Sequence, residues 1–236
     1  MGLYGGLRPE DWQRWGQFTT LKTNAAELLS RRRTGSEVIY CSPLVDPYQP
    51  VEREHALMQK ILAALIEHPP AVFVIQTRGT LILRDLAMLR NAATAMRLRI
   101  SFSITTDRED VRRRYEPHCE PNEARLEAIS ALREAGLEVY ATLAPLLPSN
   151  PERLAQLAIE ASGRSLIGDP LHVRETKPQG ATTRAAAFEI ARRHGESDWF
   201  CPEFQRQIVE RIRQTAIRCG VEFATGTEGF GWLARG

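Results

Sequence analysis

The chain has 236 residues, 43% hydrophobic and 25% charged, with 31 Lys+Arg against 29 Asp+Glu and a net charge of +2. These values exclude disordered and fibrous chains and describe a globular protein of one large domain or two small ones. No apolar run approaches the roughly 18 residues of a membrane span and the first residues lack a secretory pattern, so a cytoplasmic location is expected.

Short β-rich runs alternate with amphipathic helices. The first run, Glu37–Cys41, precedes a helix over Val51–Glu67 with Ala56, Leu57, Ile61 and Leu65 on one face. Ala71–Thr77 is the second run. The next helix is opened by Arg84 and Asp85, which are expected to form a local ion pair. Leu98–Thr105 leads to a helix over Asn122–Ala135, closed by Gly136. Leu137–Leu143 leads to Pro151–Ser162, where Asn150 and Pro151 mark a helix start. Ser165–Gly168 is a weaker fifth run. Strand starts near residues 37, 71, 98, 137 and 165 keep the spacing of βα units, which implies parallel strands.

Both a doubly wound sheet and a (β/α) barrel fit this alternation. No G-x-G-x-x-G or Walker A sequence follows an early strand. Beyond about residue 176 the rhythm fails. A link at Lys177–Gly180 leads to helices over Thr182–His194 and Glu203–Cys219, then a short Val221–Thr225 strand. The expected organisation is a core over 1–175 and a C-terminal helical extension over 176–236, packed on the edge of the core.

In parallel α/β folds, ligands bind beyond the carboxyl ends of the strands. Those ends are polar here. They carry Ser42 and Asp46, then Thr77 and Arg78, then Ser103 and Thr105. Each hydroxyl could be a helix cap or turn former. Their joint occurrence at successive strand ends favours a ligand with an amino acid-like end or a ribose. Cys41, Cys119, Cys201 and Cys219 are scattered, with no C-x-x-C pair, so reduced thiols are expected and no metal ligands are assigned. A metal-assisted hydrolase built on Asp46, Glu52 and His55 lacks matching ligands elsewhere.

The segment Ser42–Glu52, S-P-L-V-D-P-Y-Q-P-V-E, resembles the DPYQP-x-E signature of radical S-adenosylmethionine (SAM) proteins of the spore photoproduct lyase-like group, often labelled DNA repair photolyases. Supporting matches follow in order: W-G-x-F and K-x-N-A-A-E-L-L within Trp15–Leu29, T-R-G-x-L-I-L-R-D at Thr77–Asp85 and S-F-S-I-T-T at Ser101–Thr106. Glu116-Pro117, the Arg125–Gly136 helix and A-P-L-L-P at Ala144–Pro148 complete a series over roughly residues 12–170.

The resemblance implies a partial (β/α) barrel of about five to six parallel strands with SAM laid across the strand ends. It likens Ser42 and Ser103 to the hydroxyls that contact the methionyl end. Arg78 stands where the family usually has a Lys for the SAM carboxylate, and a guanidinium can grip a carboxylate through two bonds. Asp46, Thr77 and Thr105 complete the expected cofactor-binding set; no catalytic residue is assigned.

The resemblance also implies a [4Fe–4S] cluster on a C-x-x-x-C-x-x-C loop, whose ligands this chain lacks. Gly2–Trp12 resembles the family's segment just downstream of that loop, so the first strand and cluster loop are read as missing. A late start is favoured over a natural clusterless relative. With a cluster supplied, the implied activity is generation of a 5′-deoxyadenosyl radical. The alternative is a non-enzymatic SAM- or nucleotide-binding module. A DNA-lesion substrate follows from the resemblance alone, since arginines on the C-terminal helices fit a solvated face.

Overall fold

The computed structural model describes residues 18–31, 35–41, 45–172 and 185–235. Ser42, the Lys177–Gly180 link and the start of the Thr182–His194 helix lie outside them, as do the first residues of the resemblance. Six parallel strands form one sheet in sequence order: β1 (Val38–Cys41), β2 (Val72–Thr77), β3 (Arg97–Ser103), β4 (Glu138–Leu146), β5 (Leu166–Pro170) and β6 (Phe223–Thr225). This order decides between the two architectures. Right-handed crossovers that always step in one direction stack every connecting helix on the same face, as in a barrel wall; a doubly wound sheet reverses direction.

The helices are α1 (Ala25–Ser30), α2 (Glu52–His55), α3 (Leu57–Glu67), α4 (Leu86–Ala95), α5 (Glu109–Tyr115), α6 (Asn122–Glu134) and α7 (Pro151–Ser162). The C-terminal part adds α8 (Ala185–Arg193), α9 (Pro202–Arg218) and α10 (Gly226–Trp232). Short 3-10 turns cover Thr80–Asp85 and Ser197–Phe200. Among the described residues no helix is long and apolar enough to cross a membrane.

Strand register sorts the side chains. Phe73, Ile75, Ile100, Phe102, Val139, Ala141 and Leu143 face outward and are buried with Leu62, Leu65, Leu89, Ile129, Leu132 and Leu154 from the helices. The opposite, inner face carries Val72 and Val74, then Arg99, Ser101 and Ser103, then Glu138, Tyr140 and Thr142. Apolar outer positions make the core, and polar inner positions leave a surface that can bind.

One sequence expectation needs correction. The single helix expected over Val51–Glu67 is broken at Ala56, which adopts φ 47° between α2 and α3. The Glu52 carboxylate lies across the break and accepts from the backbone N–H of Leu57 (2.9 Å) and Met58 (2.9 Å), capping α3 in place of a continuous helix. The short strand expected over Val221–Thr225 is present as β6, paired to β5 at the edge of the sheet, and α10 follows it.

Helix α10 closes the amino-terminal half of the inner face. Leu233 packs with Val72, Val74 and Ile167, flanked by Tyr40, Tyr140, Phe230 and Trp232. Tyr40 Oη donates to the Phe230 carbonyl (2.8 Å), and Arg99 Nη1 donates to the carbonyls of Trp232 (2.8 Å) and Arg235 (2.5 Å).

Candidate functional site

Ser42 apart, which lies outside the described residues, the expected site residues sit at the carboxyl ends of β1 to β3. Asp46 follows β1, and its Oδ1 accepts from Thr77 Oγ1 (2.7 Å) and the Tyr48 N–H (2.9 Å). Its Oδ2 accepts from the Arg78 N–H (2.8 Å). One carboxylate thus ties the β1–α2 loop to the end of β2. Gly79 completes the join, because a Cβ there would lie 2.9 Å from the Tyr48 carbonyl oxygen. Glu52 reaches the same neighbourhood from α2 and pairs with Arg84 (2.8 Å), which also pairs with the adjacent Asp85 (2.8 Å) as the sequence implied.

The second cluster forms around Glu116, in the turn after α5. One of its oxygens pairs with Arg78 Nη1. The other accepts from Thr105 Oγ1 (2.9 Å) and Arg125 Nη1 (2.8 Å). Arg125 is fully buried, and its Nε donates to the Ser103 carbonyl (3.1 Å). Burial pushes the Glu116 carboxyl up, but Arg125 and Arg78 outweigh it and hold the group below the ordinary glutamate range. For Arg78, burial pulls the guanidinium down and Glu116 overrides it, so its value is raised.

Arg78 therefore links the two clusters, with its backbone on Asp46 and its guanidinium on Glu116. Its side chain keeps 33% exposure and so reaches the rim of the site. The half-buried Ser103 hydroxyl makes no hydrogen bond to a described residue, and neither does the Gln76 amide one strand away. Below them Ser101 and Thr142 pair their hydroxyls at 2.6 Å. The structure brings Asp46, Thr77, Arg78 and Thr105 into one hydrogen-bonded network and sets Ser103 on the inner face beside it.

The sequence reading missed Glu116 and Arg125 as members of this network, and Gln76, Ser101 and Thr142 as the inner-face surface. The last three had a usable pattern, since alternation along each strand puts them on the face opposite the apolar residues. Asp46, Thr77 and Thr105 spend their side chains on protein partners, whereas Arg78 and Ser103 retain groups for a ligand. A guanidinium and a hydroxyl side by side are donors that can together bind a carboxylate.

The iron–sulfur cluster does not fit these residues. Among the described residues no group of three or more His, Cys, Asp or Glu could hold a metal ion. Cys41 faces the helix layer, with Sγ 3.8 Å from Met58 Sδ, and burial followed by repulsion from Asp46 and Glu52 pushes its thiol up to about 12. The Asp46, Glu52 and His55 hydrolase likewise has no centre: both carboxylates are engaged in the contacts above.

No family model matches the chain. A Mycobacterium tuberculosis protein described as uncharacterized is 32% identical over 215 residues, covering 81% of this chain and 61% of the relative. The chain thus spans about three fifths of the length of the curated relatives it first matches. Among solved structures, a spore photoproduct lyase mutant matches 86% of this chain and 65% of its own at 14% identity, with a TM-score of 0.58. A spore photoproduct lyase mutant with bound AdoMet and dinucleoside spore photoproduct matches 84% of this chain and 64% of its own at 13% identity, with a TM-score of 0.52. The chain shares with spore photoproduct lyase the fold of a parallel α/β partial barrel with its helices on the outer face.

Proposed function

We propose that this chain is a SAM-binding core of the radical SAM type, related to the spore photoproduct lyase-like group. The carrying observation is Arg78: a side chain that keeps a third of its surface exposed at the carboxyl end of β2, beside the Ser103 hydroxyl at the end of β3, which makes no hydrogen bond to a described residue. Arg78 binds the ligand carboxylate, and Ser103 adds a neutral hydrogen bond. Asp46 and Thr77 fix the backbone that carries Arg78, and Thr105 steadies Glu116 behind it. Bound SAM supplies an activated sulfonium carbon–sulfur bond. The four cysteines of this chain do not fit a [4Fe–4S] cluster, which requires closely placed thiolates, so no step through a cluster is assigned. The second reading is a SAM- or nucleotide-binding module without radical chemistry. A DNA-lesion substrate is part of the proposal only through the bound dinucleoside of the structural neighbour.

Calorimetric titration with SAM tests the proposal. Arg78→Ala is expected to weaken binding by about ten- to a hundredfold, on the order of 1.5–3 kcal/mol for a charged hydrogen-bonding pair. Ser103→Ala should cost less, about 0.5–1.5 kcal/mol. An Arg78→Ala chain with native circular dichroism and unchanged affinity removes the carboxylate-clamp role. Anaerobic reconstitution that loads about four iron and four sulfide per chain overturns the assignment of a clusterless chain.

A further inference from the structure

We propose that Glu116 is a positioning residue that presents the Arg78 guanidinium to a ligand carboxylate and so makes the site selective for ligands that carry one. This rests on the SAM-binding reading above. Glu116 comes from a different part of the chain, 38 residues beyond Arg78, and its side chain is only 7% exposed. One carboxylate oxygen is fixed from the interior by Thr105 and by the fully buried Arg125, itself anchored on the Ser103 carbonyl. That half is complete as a structural unit. The other oxygen holds Arg78, the member of the network whose side chain reaches solvent. A buried ion pair kept only for stability would need Arg125 alone.

The consequence is preorganisation. Asp46 fixes the backbone N–H of Arg78 and Glu116 fixes its guanidinium, so a long side chain with many rotamers is pinned at both ends before a ligand arrives. Two guanidinium groups on one Glu116 carboxylate leave a single positive charge in that trio. Asp46 spends its carboxylate on Thr77 and two backbone N–H groups and does not meet the guanidinium. An added ligand carboxylate meets a guanidinium already shaped to receive it. Neutral ends find no matching charge.

The test compares SAM with its decarboxylated analogue on the wild-type chain, Glu116→Gln and Glu116→Asp, by calorimetry with circular dichroism as the fold control. Glu116→Asp keeps the charge that Arg125 needs but withdraws the oxygen from Arg78, so it reports if Glu116→Gln unfolds. Wild type should prefer SAM. Both variants should weaken SAM by about tenfold or more while leaving the analogue's affinity unchanged, collapsing the preference. A folded variant that keeps the wild-type ratio of the two affinities overturns the positioning role and leaves the SAM reading intact. A wild-type chain that binds neither ligand overturns the SAM reading, and the positioning role with it.

Discussion

At the scale of single residues, most polar groups at the strand ends serve the protein before any ligand. Gly79 sits against the Tyr48 carbonyl with no room for a Cβ, and the obstructing atom is backbone. Gly79→Ala should therefore cost about 1–3 kcal/mol, read as a lowered denaturation midpoint, because the β1–α2 loop must lift off β2. Glu116 makes a pH-dependent contribution. Its folded value lies below the ordinary one, so its stabilisation is complete above the unfolded value of about 4.3 and is lost as pH falls through the folded value. The stability gap between wild type and Glu116→Gln should thus be constant near neutrality and narrow below about pH 4; a gap that widens on acidification contradicts the assignment. The positions of Asp46, Thr77 and Arg78 at strand ends are legible in the sequence. Their partners are not, because Glu116 is 38 residues from Arg78 and no local pattern marks the contact.

At the scale of elements, strands read well and helix ends less so. Runs dense in Val, Ile and Phe coincide with β2 and β3 because strands buried on their outer face need them. The break between α2 and α3 is hidden: Ala56 is a strong helix former that gives no hint of a left-handed conformation. Helix α5 escapes notice because Val111 is its one buried apolar side chain. The Ala56 geometry yields a prediction of unusual sign. Ala56→Gly removes the Cβ penalty of the left-handed region, which exceeds glycine's extra entropy, and should stabilise the chain by about 0.5 kcal/mol in denaturant titration. Glu52→Ala should do the opposite, by about 2–4 kcal/mol, since it uncaps two N–H groups of α3 and strips Arg84 of a partner.

At the scale of the whole molecule, one sheet uses its two faces differently: the outer is packed by helices, and the inner is closed at its amino end by α10 and polar at its carboxyl end. Removing residues 226–235 should uncover Val72, Val74 and Ile167 and leave buried Arg99 without its two carbonyl acceptors. The expected result is a loss of at least about 3 kcal/mol and new binding of a hydrophobic dye, whereas an unchanged melting curve would make α10 dispensable. That floor is invisible in the sequence, where Gly226–Trp232 holds three glycines and little periodicity. The interlock between the two signature segments has a wider consequence. Asp46 with Thr77, Tyr48 with Gly79, Gln59 with Asp85 and Glu52 with Arg84 join residues 46–59 to 77–85 at four places. The two segments form one interlocked structural part. In a library of chimeras with a diverged homologue, crossovers between residues 60 and 76 would separate the interlocked halves, and folded recombinants should be depleted of breakpoints there.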